Sequence, residues 1–175
     1  ALMPDDVQDL RLHAGRSPDA LAVACGGQRL CYADLESLAN RLAAVIRASG
    51  LRRGDHVVAV LGNRPELLAL AWAAWRSGTY LTPLSTALAP PELARLIEHC
   101  DARLVLADGT LHALLNGLPA RVTPPAGPLR WLCLGGTLEG FEALEPLLAQ
   151  ASAAPASEEP PGALMMTTSG TTGTP

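Results

Sequence analysis

The feature of this sequence that most constrains its fold is a regular alternation of short apolar strands with helical segments. Residues 56–61 are apolar and mostly β-branched and lie between glycine-containing turns, which is typical of a buried parallel strand. A helical segment follows and runs to Ser77, where Gly78 ends it. The alternation continues through three more predicted strands and two predicted helices, at residues 79–83, 90–100, 103–107, 129–134 and 141–149. This pattern predicts an α/β fold with a mostly parallel sheet flanked by helices.

A short β-hairpin is predicted ahead of this alternation. Residues 22–25 and 28–31 flank Gly26 and Gly27, and both central positions of a two-residue hairpin turn favour glycine, because they need positive φ. The fold class predicted from the sequence is therefore α/β with a short N-terminal β-hairpin.

Two helices have recognisable ends. The first begins at Tyr32, with apolar residues at helical spacing, and Gly50 ends it. The second has Asn63 and Glu66 as its predicted cap pair. Because residues 67–75 are apolar nearly all round, we expect this second helix to be buried on more than one side.

Charge and cysteine spacing exclude several classes of function. The formal net charge is -4, and all 13 basic residues are arginines that form no basic stripe, so nucleic-acid binding is not predicted. The four cysteines form no C-x-x-C pair, so no metal site is predicted and buried, reduced thiols are expected. His99 and Cys100 are adjacent, which is too small a set of ligands for a metal ion.

The N-terminus and the apolar runs predict a soluble, cytoplasmic protein. Residues 1–6 lack the basic and apolar regions of a signal peptide. The longest apolar run, residues 67–75, is far short of the roughly 20 residues that a membrane helix needs. No transmembrane segment is therefore expected.

The segment that carries chemistry lies at residues 163–175. An apolar strand at residues 163–167 runs directly into a loop of glycines and hydroxyl side chains, with the sequence TSGTTGTP. Glycines let backbone N–H groups approach a ligand closely, and hydroxyls can donate to phosphate oxygens. Such a loop suits a polyphosphate at the carboxyl end of the strand, although it is not a Walker A loop. A flexible linker of the same composition is the alternative.

Residues 168–175 resemble the phosphate-loop signature of the adenylate-forming superfamily, which includes acyl-CoA synthetases, luciferases and peptide-synthetase adenylation domains. Residues 30–35 and 75–84 are similar to the first two core motifs of that family, in the same order and spacing. The resemblance implies that a carboxylic acid, fatty or aryl, is activated with ATP and Mg²⁺ to an acyl-adenylate and then transferred to coenzyme A. It also implies a set of ATP phosphate-binding residues, namely Thr168, Ser169, Gly170, Thr171, Thr172 and Gly173.

The sequence also departs from the family pattern. The family motif continues with lysine after the position of Pro175, and this chain contains no lysine. We therefore expect an N-terminal fragment that is inactive alone, and we assign no catalytic residue. The family usually has Ser or Thr where Cys31 stands, and a poor cap costs roughly 0.5–2 kcal/mol. Asp34 still places a carboxylate in the first turn, so we expect the change to be tolerated.

Several readings of the function stay open at this point. The run after the second motif, residues 83–86, is closer to the acyl- and aryl-CoA synthetases than to peptide-synthetase adenylation domains. An adenylation domain that loads a carrier protein and a non-enzymatic nucleotide-binding fragment are the alternatives. A dinucleotide-binding domain is disfavoured because no G-x-G-x-x-G follows the strand at residues 56–61.

The expected organisation has three parts. Residues 1–150 are predicted to form the first α/β sub-domain of the N-terminal adenylation domain, residues 151–162 an exposed linker, and residues 163–175 a strand with the truncated phosphate loop. An unpaired sheet edge would make the isolated chain associate or precipitate, and a homo-oligomer is left open.

Overall fold

The computed structural model describes residues 10–123 and 127–166 of the 175-residue chain. Within these ranges, six strands form one sheet in the order β7-β6-β5-β3-β4-β8, and every pairing in that sheet is parallel. Two further strands form an antiparallel hairpin. The predicted fold class, an α/β fold with a mostly parallel sheet and an N-terminal hairpin, is confirmed.

The hairpin consists of β1 and β2, and the sheet contains β3 to β8. The strands are β1 Leu21–Cys25, β2 Gln28–Cys31, β3 His56–Val60, β4 Tyr80–Pro83, β5 Ala102–Asp108, β6 Arg130–Leu134, β7 Glu142–Ala143 and β8 Ala163–Leu164. The helices are α1 Leu10–Arg16, α2 Tyr32–Ala48, α3 Pro65–Arg76, α4 Pro90–His99, α5 His112–Leu115 and α6 Leu144–Gln150, with a 3₁₀ turn at Pro119–Arg121.

Helices cover both faces of the sheet, and the strand sequences show why. Successive side chains of a strand point to opposite faces, so a strand that is covered on both sides is apolar throughout. In β3, Val57 and Ala59 pack into the core layer that α2 and α3 build. Val58 and Val60 pack into the opposite layer, which contains residues of α4 and α5. The continuous apolar run at residues 56–61 therefore reflects a central strand.

The hairpin and the start of α2 follow local sequence rules. Gly26 and Gly27 have φ of 58° and 82°, as the two-residue turn requires. At the start of α2, the Asp34 carboxylate accepts hydrogen bonds from the backbone N–H of Cys31 at 3.3 Å and from its thiol at 3.1 Å. Asp34 thus supplies one half of a capping box, which offsets the missing hydroxyl at Cys31.

Three details of the predicted elements are wrong. Helix α3 is preceded by Arg64, not capped by Asn63, and Pro65 is its first residue, a position where a missing N–H costs nothing. The segment predicted as a helix at residues 141–149 begins as strand β7, which pairs with β6, and becomes helical only at Leu144. Helices α1 and α5 were not predicted, because each is too short to show a helical period.

A buried cation holds α2 and α3 together. Arg76, at the end of α3, is only 3% exposed and lies 2.7 Å from the carboxylate of Glu36 and 2.7 Å from the side-chain oxygen of Asn40. Its guanidinium also stacks over the ring of Trp72, with 5.7 Å to the ring centroid. The hydrophobic pattern predicts that this helix pair packs, but the partners of Arg76 follow from the packing itself.

Residues 151–162 run along α2 and are hydrogen-bonded to it. Arg41 donates to the carbonyl oxygens of Leu148 and Ala151, both at 2.8 Å, and Asn40 donates to that of Ala153 at 2.9 Å. Arg11 forms an ion pair with Glu159 at 2.9 Å. This segment leads from α6 to the start of β8 across the amino ends of the strands.

Candidate functional site

The candidate site lies at the carboxyl edge of the sheet, meaning the edge at which the parallel strands end. Open α/β sheets bind their ligands at this edge, because the loops and helix N-termini that follow the strands meet there. In this chain the strand ends are followed by glycine or hydroxyl residues, which include Gly62, Ser85, Thr86, Gly109, Thr110, Gly135 and Gly136.

Strand β8 carries the chain to this edge. It pairs in parallel with β4, with Ala163 opposite Tyr80 and Leu164 opposite Leu81. The backbone N–H of Met165 continues the pairing and donates to the carbonyl of Leu81 at 2.8 Å. The six predicted phosphate-binding residues, Thr168, Ser169, Gly170, Thr171, Thr172 and Gly173, lie outside the described residues.

Gly162 sets the position of β8. Its N–H donates to the carbonyl of Trp75 at 2.7 Å. A Cβ at this position would collide with the backbone carbonyl oxygens of Ala74, in the last turn of α3, and of Thr79, in the connection between α3 and β4. Only glycine therefore fits where the chain enters β8, and the sequence gives no sign of this close approach.

An ion-pair cluster joins the loops that follow β3 and β5. Arg64 lies 3.0 Å from the carboxylate of Asp108 and 2.9 Å from that of Glu66. Glu66 thus binds the side chain of the residue before α3 and does not form a cap pair with Asn63. The cluster holds the start of α3 against the end of β5, so it fixes the shape of the carboxyl edge.

The charges of this cluster stabilise one another. Burial alone would lower the pKa of Arg64, but the hydrogen bond and charge of Glu66, followed by Asp108, raise its pKa above the ordinary value. Burial alone would raise the pKa of Asp108, but two hydrogen bonds from Thr110 and the charge of Arg64 lower it below the ordinary value. Both groups are therefore ionised at neutral pH.

Glycines bring the loops after β5 and β6 into backbone contact. The N–H of Gly109 donates to the carbonyl of Leu134 at 2.8 Å. A Cβ on Gly109 would meet the backbone of Gly136 at 2.7 Å, and a Cβ on Gly135 would meet the guanidinium of Arg64 at 3.3 Å. The ion-pair cluster was not predicted from the sequence, although a charged residue at the end of β5 and another in the loop after β3 were a usable signal.

Two hydroxyl residues, Ser85 and Thr86, come shortly after the end of β4, the strand that is paired with β8. Leu84 stays in the sheet through a hydrogen bond from its N–H to the carbonyl of Ala59 at 2.8 Å. Ser85 and Thr86 follow and are exposed. The Ser85 hydroxyl accepts a hydrogen bond from the N–H of Ala87 at 3.2 Å, which closes a local turn. These hydroxyls therefore follow the carboxyl end of the strand that runs beside β8.

The cysteines and histidines build no metal site in the described part of the chain. No group of three or more His, Cys, Asp or Glu side chains within residues 10–123 and 127–166 could hold an ion. Cys100 and Cys133 are buried as predicted, and burial raises the pKa of both thiols, which keeps them protonated. Cys25 and Cys31 are only half-buried, so the prediction of buried thiols is wrong for them.

Helix length also bears on membrane insertion. Among the helices of residues 10–123 and 127–166, none combines the length and the apolar character that crossing a bilayer requires.

Comparison with known proteins finds one matching family model and relatives that are named as acid–CoA ligases. Residues 10–175 match the family model described as AMP-binding enzyme. The long-chain-fatty-acid–CoA ligase FadD13 of Mycobacterium tuberculosis is 30% identical over 150 residues, which cover 84% of this chain and 28% of that protein. The 3-hydroxybenzoate–CoA ligase of an Aromatoleum species is 30% identical over 164 residues, covering 90% of this chain and 30% of that protein.

A solved structure agrees with these sequence relatives. The inhibitor-bound crystal structure of the N-terminal domain of FACL13 from Mycobacterium tuberculosis superposes with a TM-score of 0.77 at 29% identity. The match covers 94% of this chain and 41% of that one. The chain thus spans less than a third of the length of the two curated relatives.

Proposed function

The chain belongs to the AMP-binding enzyme family, on its acyl-CoA synthetase branch, and from that membership we propose that it builds the ATP phosphate-binding edge of a carboxylate-activating enzyme. In the first step a carboxylate oxygen of the acid attacks the α-phosphorus of ATP, an acyl-adenylate forms and pyrophosphate leaves. In the second step the thiol of coenzyme A attacks the acyl carbon, a thioester forms and AMP leaves.

One observation carries this proposal. Strand β8 is held in parallel register beside β4, so residues 165 and 166 extend toward the carboxyl edge, level with Thr82 and Pro83 at the end of β4. A loop of glycines and hydroxyls that starts at this edge is well placed to receive a polyphosphate.

The six loop residues are proposed to grip the β- and γ-phosphates. The hydroxyls of Ser169, Thr171 and Thr172 would donate to phosphate oxygens, and the N–H groups of Gly170 and Gly173 can approach them closely. These donors stabilise the charge that grows on pyrophosphate as it leaves. Mg²⁺ enters with ATP as part of the substrate complex.

The ion-pair cluster is proposed to keep the edge rigid. Arg64 is paired with both Glu66 and Asp108, so its positive charge is engaged within the cluster, which has a formal net charge of -1. Their role is to position the loops after β3 and β5. They are therefore positioning residues and take no part in the chemical steps.

The acid is proposed to be a fatty or an aryl acid. The relatives include ligases whose names specify a long-chain fatty acid and 3-hydroxybenzoate, which are a fatty acid and an aryl acid. We also propose the division into residues 1–150, a linker at 151–162 and the strand with its loop at 163–175. A cytoplasmic location remains a prediction from the sequence.

Carboxylate-dependent ATP–pyrophosphate exchange tests the proposal. The complete gene product is assayed with a panel of fatty, aromatic and amino acids, and the 175-residue chain is assayed beside it. Exchange is expected with fatty or aromatic acids for the complete product and at background level for the 175-residue chain. Exchange with no acid, despite bound MgATP, would reject the enzymatic proposal in favour of a nucleotide-binding protein. Thioester formation is then measured with coenzyme A as the acceptor and, separately, with a carrier protein as the acceptor.

Matched substitutions at two threonines test whether the loop residues carry the exchange activity. Thr171→Val removes a hydroxyl at nearly constant volume and is expected to lower exchange on the order of 100-fold, whereas Thr171→Ser restores the donor. Thr123→Val makes the same change at an exposed position that no proposed ligand contacts, and it should leave exchange unchanged. Equal exchange by Thr171→Val and the unsubstituted protein would count against the proposed loop.

A further inference from the structure

A cleft lies at the amino edge of the sheet, opposite the carboxyl edge, and we propose that it binds a small phosphomonoester. The cleft has a volume of about 590 Å³, and we call it the arginine cleft. Three segments of the chain line it. The residues that define it are Arg47, Arg52 and Arg53 from the first segment, Ser77 from the second, and Glu158 and Pro160 from the third. Nothing in the proposed ATP chemistry uses these residues.

The elements that form the arginine cleft bring three arginines together, of which Arg52 and Arg53 are exposed. Arg47 lies in the last turn of α2, and Arg52 and Arg53 follow in the connection to β3. The stem of Arg53 lies against Gly78, since a Cβ on Gly78 would meet that stem at 3.1 Å and Pro160 at 2.9 Å. The cations are therefore gathered where α2 ends and β3 begins.

Two buried donors of the arginine cleft have no protein partner. Ser77 is 6% exposed, and its hydroxyl makes no hydrogen bond. The Nη1 atom of Arg47 is also buried without a hydrogen-bond acceptor. Because a buried polar group without a partner costs roughly 1–3 kcal/mol, such groups call for an explanation. Both residues line the arginine cleft, so rotation of their side chains would let these donors reach a bound anion, and no protein partner would have to be displaced.

The charge of the arginine cleft fits a dianion. Within residues 10–123 and 127–166, no ion pair engages the side chain of Arg47, Arg52 or Arg53. Glu158 is the acidic residue in the lining, so three arginines against one glutamate leave a formal charge of +2. Guanidinium groups match phosphate oxygens in bidentate geometry, and a phosphomonoester carries nearly two negative charges at neutral pH.

The size and lining of the arginine cleft indicate the rest of the ligand. A volume of about 590 Å³ falls in the range of small-molecule sites and exceeds what a phosphate ion alone would fill. The described lining contains no aromatic side chain on which a base could stack. Hydroxyls of Ser152 and Ser157 and the apolar surface of Pro155 line the remaining space. This favours a sugar or glycerol phosphate over a nucleotide.

The helix dipole does not account for the arginine cleft. A cation in the last turn of a helix is stabilised by the carbonyl groups there, which explains the position of Arg47. It does not explain why Arg52 and Arg53 lie beside it without acidic partners. It also does not explain the unpartnered hydroxyl of Ser77.

Titration calorimetry on the 175-residue chain tests the proposal, with glycerol 3-phosphate and glucose 6-phosphate as probes. At least one probe is expected to bind with a Kd below about 1 mM, more tightly than inorganic phosphate, and ATP is expected not to compete for the cleft. Arg47→Gln and Arg53→Gln should each weaken binding by about tenfold or more. Arg95→Gln is the matched control, since Arg95 is exposed on α4, outside the cleft, and it should leave the Kd unchanged.

Two further variants separate binding from damage to the fold. Ser77→Ala should weaken binding while the unliganded protein melts at the same or a higher temperature, because a buried hydroxyl without a partner is removed. Glu158→Gln removes the opposing charge and should tighten binding by about two- to threefold, which a damaged fold would not do. No binding of either probe, or equal effects of Arg95→Gln and Arg47→Gln, would overturn the proposal. Equal affinity for inorganic phosphate and both probes would also overturn it. None of these variants alters the loop at residues 168–173, so failure here leaves the ATP proposal untouched.

Discussion

Gly162 offers a sharp test of how the candidate site is built. A methyl group in Gly162→Ala would collide with the carbonyl oxygens of Thr79 and Ala74, which are backbone atoms that cannot rotate away. Forcing the contact costs about 1–3 kcal/mol. Releasing β8 would instead lose three backbone hydrogen bonds, donated by Gly162, Ala163 and Met165, at roughly 1 kcal/mol each.

The two costs are comparable, so β8 is expected to detach in a large share of the Gly162→Ala molecules. Amide hydrogen exchange measures this directly. Exchange of the Ala163 and Met165 amides should accelerate by up to about 100-fold, while exchange in the central strand β3 stays unchanged. In the complete gene product, the affinity for ATP should fall together with the protection of the β8 amides against hydrogen exchange.

The matched control is Gly15→Ala in α1. Gly15 has no positive φ, and a Cβ there would meet nothing within 4 Å. This variant should keep the exchange rates of β8. Unchanged protection of Met165 in Gly162→Ala would refute the claim that close backbone approach positions β8.

Three further predictions concern the core, the ion-pair cluster and the exposed strand. Arg76→Leu should lower the free energy of unfolding by about 3 kcal/mol, because Glu36 loses the nearer of its two cations in a largely buried position, and a urea titration showing a loss under about 1 kcal/mol would contradict this. Asp108 has a lowered pKa in the folded state, so its ionised carboxylate stabilises the fold. This contribution to the free energy of unfolding is complete above about pH 4 and is lost as pH falls through the folded pKa. Asp108→Asn should therefore flatten the acid limb of thermal stability, and an unaltered limb would argue against the pairing with Arg64. Leu164 is 58% exposed on the outermost described strand, so Leu164→Lys should reduce self-association in sedimentation velocity, an effect that cannot exist if the unsubstituted chain is monomeric.

The sequence by itself determined the fold class and the order of the longer elements, but not α1, α5 or β7. The apolar run at residues 56–61, the Gly26-Gly27 turn and the helical period from Tyr32 are local patterns, and the structure confirms each of them. The family also followed from contiguous motifs, because motif residues are neighbours along the chain.

Tertiary structure decided what depends on residues that are distant in sequence. The pairing of Arg64 with Asp108 spans two strands, and the partners of Arg76 lie on another helix. The helix predicted from residue 141 begins late because β7 gains its hydrogen bonds from β6, which no local propensity can report. The need for glycine at Gly162 arises only because the connection between α3 and β4 passes beside it. Sequence patterns record which residues prefer helix, strand or turn, whereas ion pairs and close backbone contacts exist only once the elements are packed.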